Sequence, residues 1–238
     1  MSSPSRRTFA AIGVLLSLLA WKSGTAEAAP RAVGATRPAA LEFRATVDHP
    51  FFPLVPGTVF TYREREDGRM LDEVVTVMRE PRVVAGVRCV VVHDLVKDGE
   101  RIVEDTYDWY AQDRRGNVWY FGEDTKEYGR DGQVHTGGSW EAGVAGAEPG
   151  VLMPAPVKSG PEYRQEYSPG VAEDMGRIEA VGDTVQVPAG RYTGCVRTRD
   201  WSRIESGVEH KWYARGVGFV KSRAGDDETC ELLSVKRP

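Results

Sequence analysis

The sequence predicts an all-β chain: an antiparallel, strongly curved sheet, a half-barrel or closed barrel, built from two duplicated meanders with a long glycine-rich loop between them. Three observations predict it. From Thr58 onward, short runs rich in valine and aromatics (TVFTYRE, DEVVTVMRE, RCVVVHDLV, DTVQVP, CELLSVK) recur between glycine, proline and aspartate turns, and helical periodicity is nearly absent. Landmarks then return at nearly one offset, 102 to 104 residues: Gly57 and Gly160, Ala85-Gly86 and Ala189-Gly190, Trp109-Tyr110-Ala111 and Trp212-Tyr213-Ala214, GNV at Gly116 and GFV at Gly218. Between the halves lies a stretch with no counterpart, rich in glycine from Gly129 to Gly150.

In chain order, residues 1–28 have the layout of a signal peptide: a basic pair, Arg6-Arg7, an apolar run over 9–21, then small residues ending in Ala26-Glu27-Ala28. The run is too short for a comfortable membrane span, so cleavage after Ala28 leaves no span and an exported protein, periplasmic or extracellular. Ser5-Arg6-Arg7-Thr8-Phe9 resembles the twin-arginine export pattern; the alternative is a general secretory signal that contains the pair. No cysteine lies near the cleavage site, which argues against a lipid anchor. Residues 29–47 have few large apolar side chains and read as a flexible linker. Residues 48–238 form a single β domain with repeat halves at about 53–121 and 156–221, an insert at 122–155, and a last strand in DDETCELLSVKRP. The formal net charge is −4 and the basic residues are scattered among acids, which excludes a nucleic-acid groove as the main partner surface. Oligomeric state is not readable.

The stretch DTYDWYAQDRRGNVWYF reads as a hairpin whose tight turn places Gly116 at positive φ and Asp113 opposite Asn117. Counting back pairs Trp109 with Phe121 and Ala111 with Trp119 on one face, and Tyr110 with Tyr120 and Gln112 with Val118 on the other; the same count sets Asp108 opposite Gly122. Aromatics on both faces mean a hairpin covered on both sides, or one side offered to something outside the chain. The candidate ligand contacts are therefore Trp109, Tyr110, Trp119, Tyr120, Phe121, Trp140, Trp212 and Tyr213. The insert, with Trp140, Val151, Leu152 and Met153, folds over the hairpin either as a lid on a ligand or as a plug filling the core.

Other candidate chemistry is thin. Cys89, Cys195 and Cys230 allow one disulfide and a thiol, or three buried free thiols, and match no zinc spacing. Under the duplication, Cys89 and Cys195 occupy equivalent strand positions. Glu104, Asp105 and Asp108 face Glu123, Asp124 and Glu127 across the hairpin, a candidate calcium cluster with ordinary ion-pair partners nearby. His49, His93, His135 and His210 stand singly; His93-Asp94 and Glu209-His210 are strand neighbours, which point to opposite faces. No catalytic residue, metal ligand or cofactor is assigned, and no nucleophile elbow or catalytic cysteine signature is present.

HPFFPLVPGTVFTY, VEDTYDWYAQDRRGNVWYFGEDTKEY, GSWEAGVAGAEPGVLMPAP and WYARGVGFVKS together resemble a family of exported bacterial β-proteins without an assigned biochemical function. WYARGVGFVK alone is similar to the closing hairpin of periplasmic proteins shaped like the half-barrel of lipoprotein carriers, a likeness that implies a concave apolar surface. The leading expectation is a non-catalytic exported protein that binds an apolar or amphipathic small molecule or lipid in its curved sheet. The alternatives are an envelope structural or adhesive module binding a protein partner and, behind both, a metal-dependent hydrolase.

Overall fold

A computed structural model describes residues 42–44 and 46–238. The expected signal peptide and most of the expected linker lie outside the described residues. Within them the chain forms only strands. These are β1 (Phe43–Arg44), β2 (Val47–His49), β3 (Phe52–Leu54), β4 (Val59–Glu66), β5 (Arg69–Val77), β6 (Arg82–Val84), β7 (Val87–Asp98), β8 (Arg101–Asp113), β9 (Val118–Tyr128) and β10 (Val134–His135). There follow β11 (Trp140–Glu141), β12 (Glu148–Met153), β13 (Tyr163–Arg164), β14 (Glu166–Tyr167), β15 (Asp174–Val187), β16 (Gly190–Ser202), β17 (Glu209–Ala214), β18 (Gly218–Ala224) and β19 (Glu228–Lys236).

All pairings are antiparallel, and they run in a circuit. From β4 the order is β5, β7, β8, β9, β12, then the segment 163–167, then β15 to β19 in turn, and β19 returns to β4. The segment 163–167 is the seam: its β14 end pairs with β12 and its β13 end with β15, each over two residue pairs. Closure buries one face of every long strand, so inward and outward residues alternate as a period of two requires.

The hairpin turn is as expected: Asp113 N–H donates to Asn117 O at 3.0 Å, and Gly116 has φ 95°. Asp113 fixes it further, accepting from Asn117 N at 2.9 Å, Asn117 Nδ2 at 2.8 Å and Trp119 Nε1 at 2.9 Å. Tyr110 pairs with Tyr120, Ala111 with Trp119 and Gln112 with Val118. Beyond that the register shifts, and Asp108 pairs with Glu123 rather than with Gly122. A bulge at Phe121-Gly122 therefore stands opposite Trp109, and the simple Trp109–Phe121 pair does not form. Gly122 is required there: φ is +122°, and a β-carbon would sit 2.2 Å from the Trp140 carbonyl oxygen.

Two boundaries move. Phe43, Arg44 and Val47, inside the expected linker, are in strands, and Phe43 packs edge-on against Phe121 at 5.3 Å and Trp119 at 6.2 Å. The insert is substantially strand rather than loop, since β10, β11 and β12 all pair with β9. Val90 pairs with Tyr110 and Val196 with Tyr213, and Cys89 and Cys195 each lie one residue before these positions. All three cysteines are buried and free.

Candidate functional site: the barrel interior

The interior divides along the barrel axis. On β4 the inward face reads Phe60, Tyr62, Glu64, Glu66, and on β7 it reads Val90, Val92, Asp94, Val96. From the same end, β5 reads Val77, Val75, Glu73, Leu71, and β8 reads Tyr110, Asp108, Thr106, Glu104. Each strand thus starts apolar and meets acids partway along; on β5 and β7 the acid is single, and Leu71 and Val96 beyond it form a small separate apolar cluster with Val103.

The apolar end is sealed by the hairpin of β2 and β3. Phe52 lies 5.4 Å from the Tyr110 ring and 6.2 Å from Tyr213, Tyr110 stacks on Tyr120 at 5.0 Å, and Trp140 meets Tyr120 edge-on at 5.4 Å. Asp48 N–H donates to Gln112 Oε1 at 2.7 Å and Gly216 N–H to Pro50 O at 2.7 Å, which ties this hairpin to the neighbouring turns. His49 is buried here and accepts from Phe51 N–H at Nδ1; burial lowers it to about 4. Of the candidate contacts, Tyr110, Tyr120, Trp140 and Tyr213 come together inside. Trp109, Trp119 and Phe121 lie on the opposite, outer face, where the Arg82 guanidinium covers Trp109 at 4.1 Å and Phe43 covers the other two. Trp212 points outward and donates from Nε1 to Asp183 Oδ2 at 3.0 Å. The hairpin is therefore covered on both sides by its own chain.

The other half holds the chemistry that the sequence did not disclose. Glu64, Glu66, Glu73, Asp94, Glu104 and Asp108 from β4, β5, β7 and β8 are buried, as are Glu123, Glu166, Asp174, Asp200 and Glu209 from β9, β14, β15, β16 and β17. The one buried lysine or arginine among the described residues is Lys211, with Nζ 3.3 Å from Glu209 and 3.5 Å from Asp200. Burial works against its charge, but those two carboxyls prevail and raise the ammonium above its ordinary value. Burial first, and neighbouring carboxyls second, hold Glu64, Glu73, Asp94, Glu104, Glu123 and Glu166 well above the ordinary carboxylate range. Asp108 is raised to about 7 by burial, against the Tyr120 hydroxyl that donates to it at 2.7 Å. Glu66 is raised to about 7 by burial, against its ion pair with Arg69 at 2.6 Å.

Some of these groups have protein donors: Thr106 Oγ1 to Glu104 at 2.7 Å and Trp140 Nε1 to Glu166 at 2.9 Å. Others do not. Both oxygens of Asp94, one each of Glu64, Glu73, Glu104 and Asp108, and the Tyr110 hydroxyl are buried without a hydrogen-bond partner. A buried carboxylate is costly unless it is paired, protonated or bound to a cation. One lysine cannot offset the set, so this half of the barrel must hold protons, cations or both.

Alternation splits the acidic cluster expected across the hairpin. Glu104, Asp108 and Glu123 face in, whereas Asp105 faces out and meets His93 at 2.8 Å, and Asp124 is exposed. His93 stacks on Tyr107 at 4.3 Å while its neighbour Asp94 points inward. His210 lies 3.3 Å from Glu179, and His135 is exposed. The one cluster of three metal-capable donors among the described residues, Glu64, Glu73 and Cys230, contains no histidine.

No protein-family model and no curated protein matches the chain. Two solved structures resemble it. One is a Bacteroides fragilis protein described as exported and of YmcC-like fold, with 16% identity and a TM-score of 0.47 over 79% of this chain and 99% of that one. The other is a Parabacteroides distasonis protein described as a lipoprotein, with 13% identity and a TM-score of 0.46 over 78% of this chain and 98% of that one. At these levels neither likeness bears on function.

Proposed function

We propose that the protein is an exported, non-catalytic β-barrel that binds cations in the acidic half of its interior. The observation that carries this is the ring of buried carboxyls with unpartnered oxygens, opposed by one lysine. Export rests on the twin-arginine-like start and the apolar run that follows it. An apolar or amphipathic ligand is the weaker reading, because it would have to displace Phe51, Phe52 and Leu54 from the end they fill.

The test is a screen of thermal stability at neutral pH with mono- and divalent cations and a polyamine, after chelator treatment, alongside uptake of an environment-sensitive apolar dye. A cation at about a hundred times its dissociation constant adds about 2.7 kcal/mol, a rise of roughly 5–10 °C for a chain of this size. Stoichiometric dye uptake without any cation effect would restore the apolar-ligand reading.

A further inference from the structure

The geometry points to a single transition-metal site of mixed sulfur and oxygen donors inside the acidic half, formed by Glu64, Glu73 and Cys230 with Asp94 as fourth donor, and suited to zinc. This inference rests on the cation-binding reading and gives it one location and one class of ion.

The donors come from adjacent staves of the barrel. Cys230 on β19 pairs with Glu64 on β4; Glu73 on β5 is diagonal to Glu64, its own partner being Tyr62; Asp94 on β7 is diagonal to Glu73, its partner being Val75. Barrel shear carries the four side chains round one level of the interior. Ligand atoms of Glu64, Glu73 and Cys230 all lie within 4.8 Å of one another, and the Cys230 thiol donates to Glu73 Oε2 at 3.3 Å. Asp94 faces the same space at 1% exposure, its carboxyl beside that of Glu73, and both of its oxygens are buried without a well-formed hydrogen bond.

The donor set decides the ion. Calcium and magnesium take oxygen ligands, in larger numbers or with several waters retained, and gain nothing from a thiolate. Zinc accepts thiolate and carboxylate together in tetrahedral, four-donor sites. Charge sets the cost: a divalent ion over a thiolate and one carboxylate is neutral, and each further carboxyl that ligates gives its proton to solvent as the ion binds. Nearby, Asp67, Asp226 and Asp227 in the turns joining β4 to β5 and β18 to β19, with Glu228 and Arg65, line an open cleft of net negative charge near that end.

The experiment uses chelator-stripped protein titrated with Co²⁺, followed by zinc competition and equilibrium dialysis. The expected result is one equivalent bound, with a thiolate-to-cobalt charge-transfer band that zinc abolishes. Cys230→Ser should eliminate the band and Glu73→Gln should weaken binding by on the order of 100-fold or more, beyond what loss of an outer partner does. Cys89→Ser, a buried thiol outside the site, should leave both unchanged, and circular dichroism on each variant separates lost binding from lost fold. A band that survives Cys230→Ser, or cation uptake with no thiolate band, overturns this site while leaving an acidic cation-binding interior. No uptake of any cation by folded protein overturns both.

Discussion

The two ends of the barrel interior bury similar shapes and opposite chemistries. At the aromatic end, Phe52, Tyr110, Tyr120 and Tyr213 pack against one another, and burial keeps both the tyrosine hydroxyls and His49 neutral. At the acidic end, carboxyls replace the rings at the same strand parity, and neighbouring acids raise one another. The first end supplies stability by excluding water. The second spends some of that stability on groups that wait for a proton or a cation, and a molecule can afford such a set only when the other end is solid.

The sharpest way to break this comparison is Phe52→Ala. It removes a fully buried ring that touches both Tyr110 and Tyr213, and urea melts should show a loss of about 3–5 kcal/mol. A small loss would mean that the end is not a packed seal.

Next comes Asp108→Asn at the acidic end. With the folded Asp108 raised to about 7 and the unfolded one near 4, its contribution is fully present below about pH 4 and is lost as pH rises to 7. In chelator, the wild type should therefore weaken from pH 4 to 7. Asp108→Asn should remove on the order of 2–4 kcal/mol of that decline, and chemical denaturation across the pH range measures it.

His49 gives the opposite limb. Its folded value of about 4 lies below the unfolded 6.5, so its contribution is present above pH 6.5 and is lost as pH falls to about 4. His49→Gln should flatten the acid-side loss by on the order of 1–3 kcal/mol in the same melts. If both variants left the pH profile unchanged, the two ends would not differ as described.

The smallest effects lie in the turn above the aromatic end. Gly116→Val should cost roughly 1–2 kcal/mol, because Gly116 holds φ 95° and a β-carbon there would sit 3.1 Å from Ala155 Cβ. Arg114→Ala should cost about 0.5 kcal/mol or less, since its ion pair with Glu42 is exposed. A severe Arg114→Ala with a neutral Gly116→Val would contradict the turn.

The architecture was legible because its signals are local. Gly116, the Asp113–Asn117 closure and the Tyr110–Tyr120 pair follow from turn chemistry and a period of two. The bulge at Phe121-Gly122 was not, because its cause is the close approach of the Trp140 backbone, which the insert brings back to pair beside β9. The acidic interior escaped for a related reason. In VFTYRERE, alternation alone sends glutamates to water, yet Glu64 and Glu66 keep the parity of Phe60 and Tyr62 and so point inward. The signal that would have found them is parity carried through the change from apolar to acidic, strand after strand.

Closure of the barrel depends on a very short piece of chain. Between β12 and β15, continuity rests on the two-pair ladders of 163–167 and on the Gln165 N–H donating to Asp174 O at 2.8 Å. Detaching that segment would turn a ring into an open sheet with two free margins while every longer ladder stayed intact. Its detachment would also break the Trp140 Nε1–Glu166 hydrogen bond at 2.9 Å and the Arg164–Glu148 ion pair, and it would expose the acidic half beside Glu166 and Asp174.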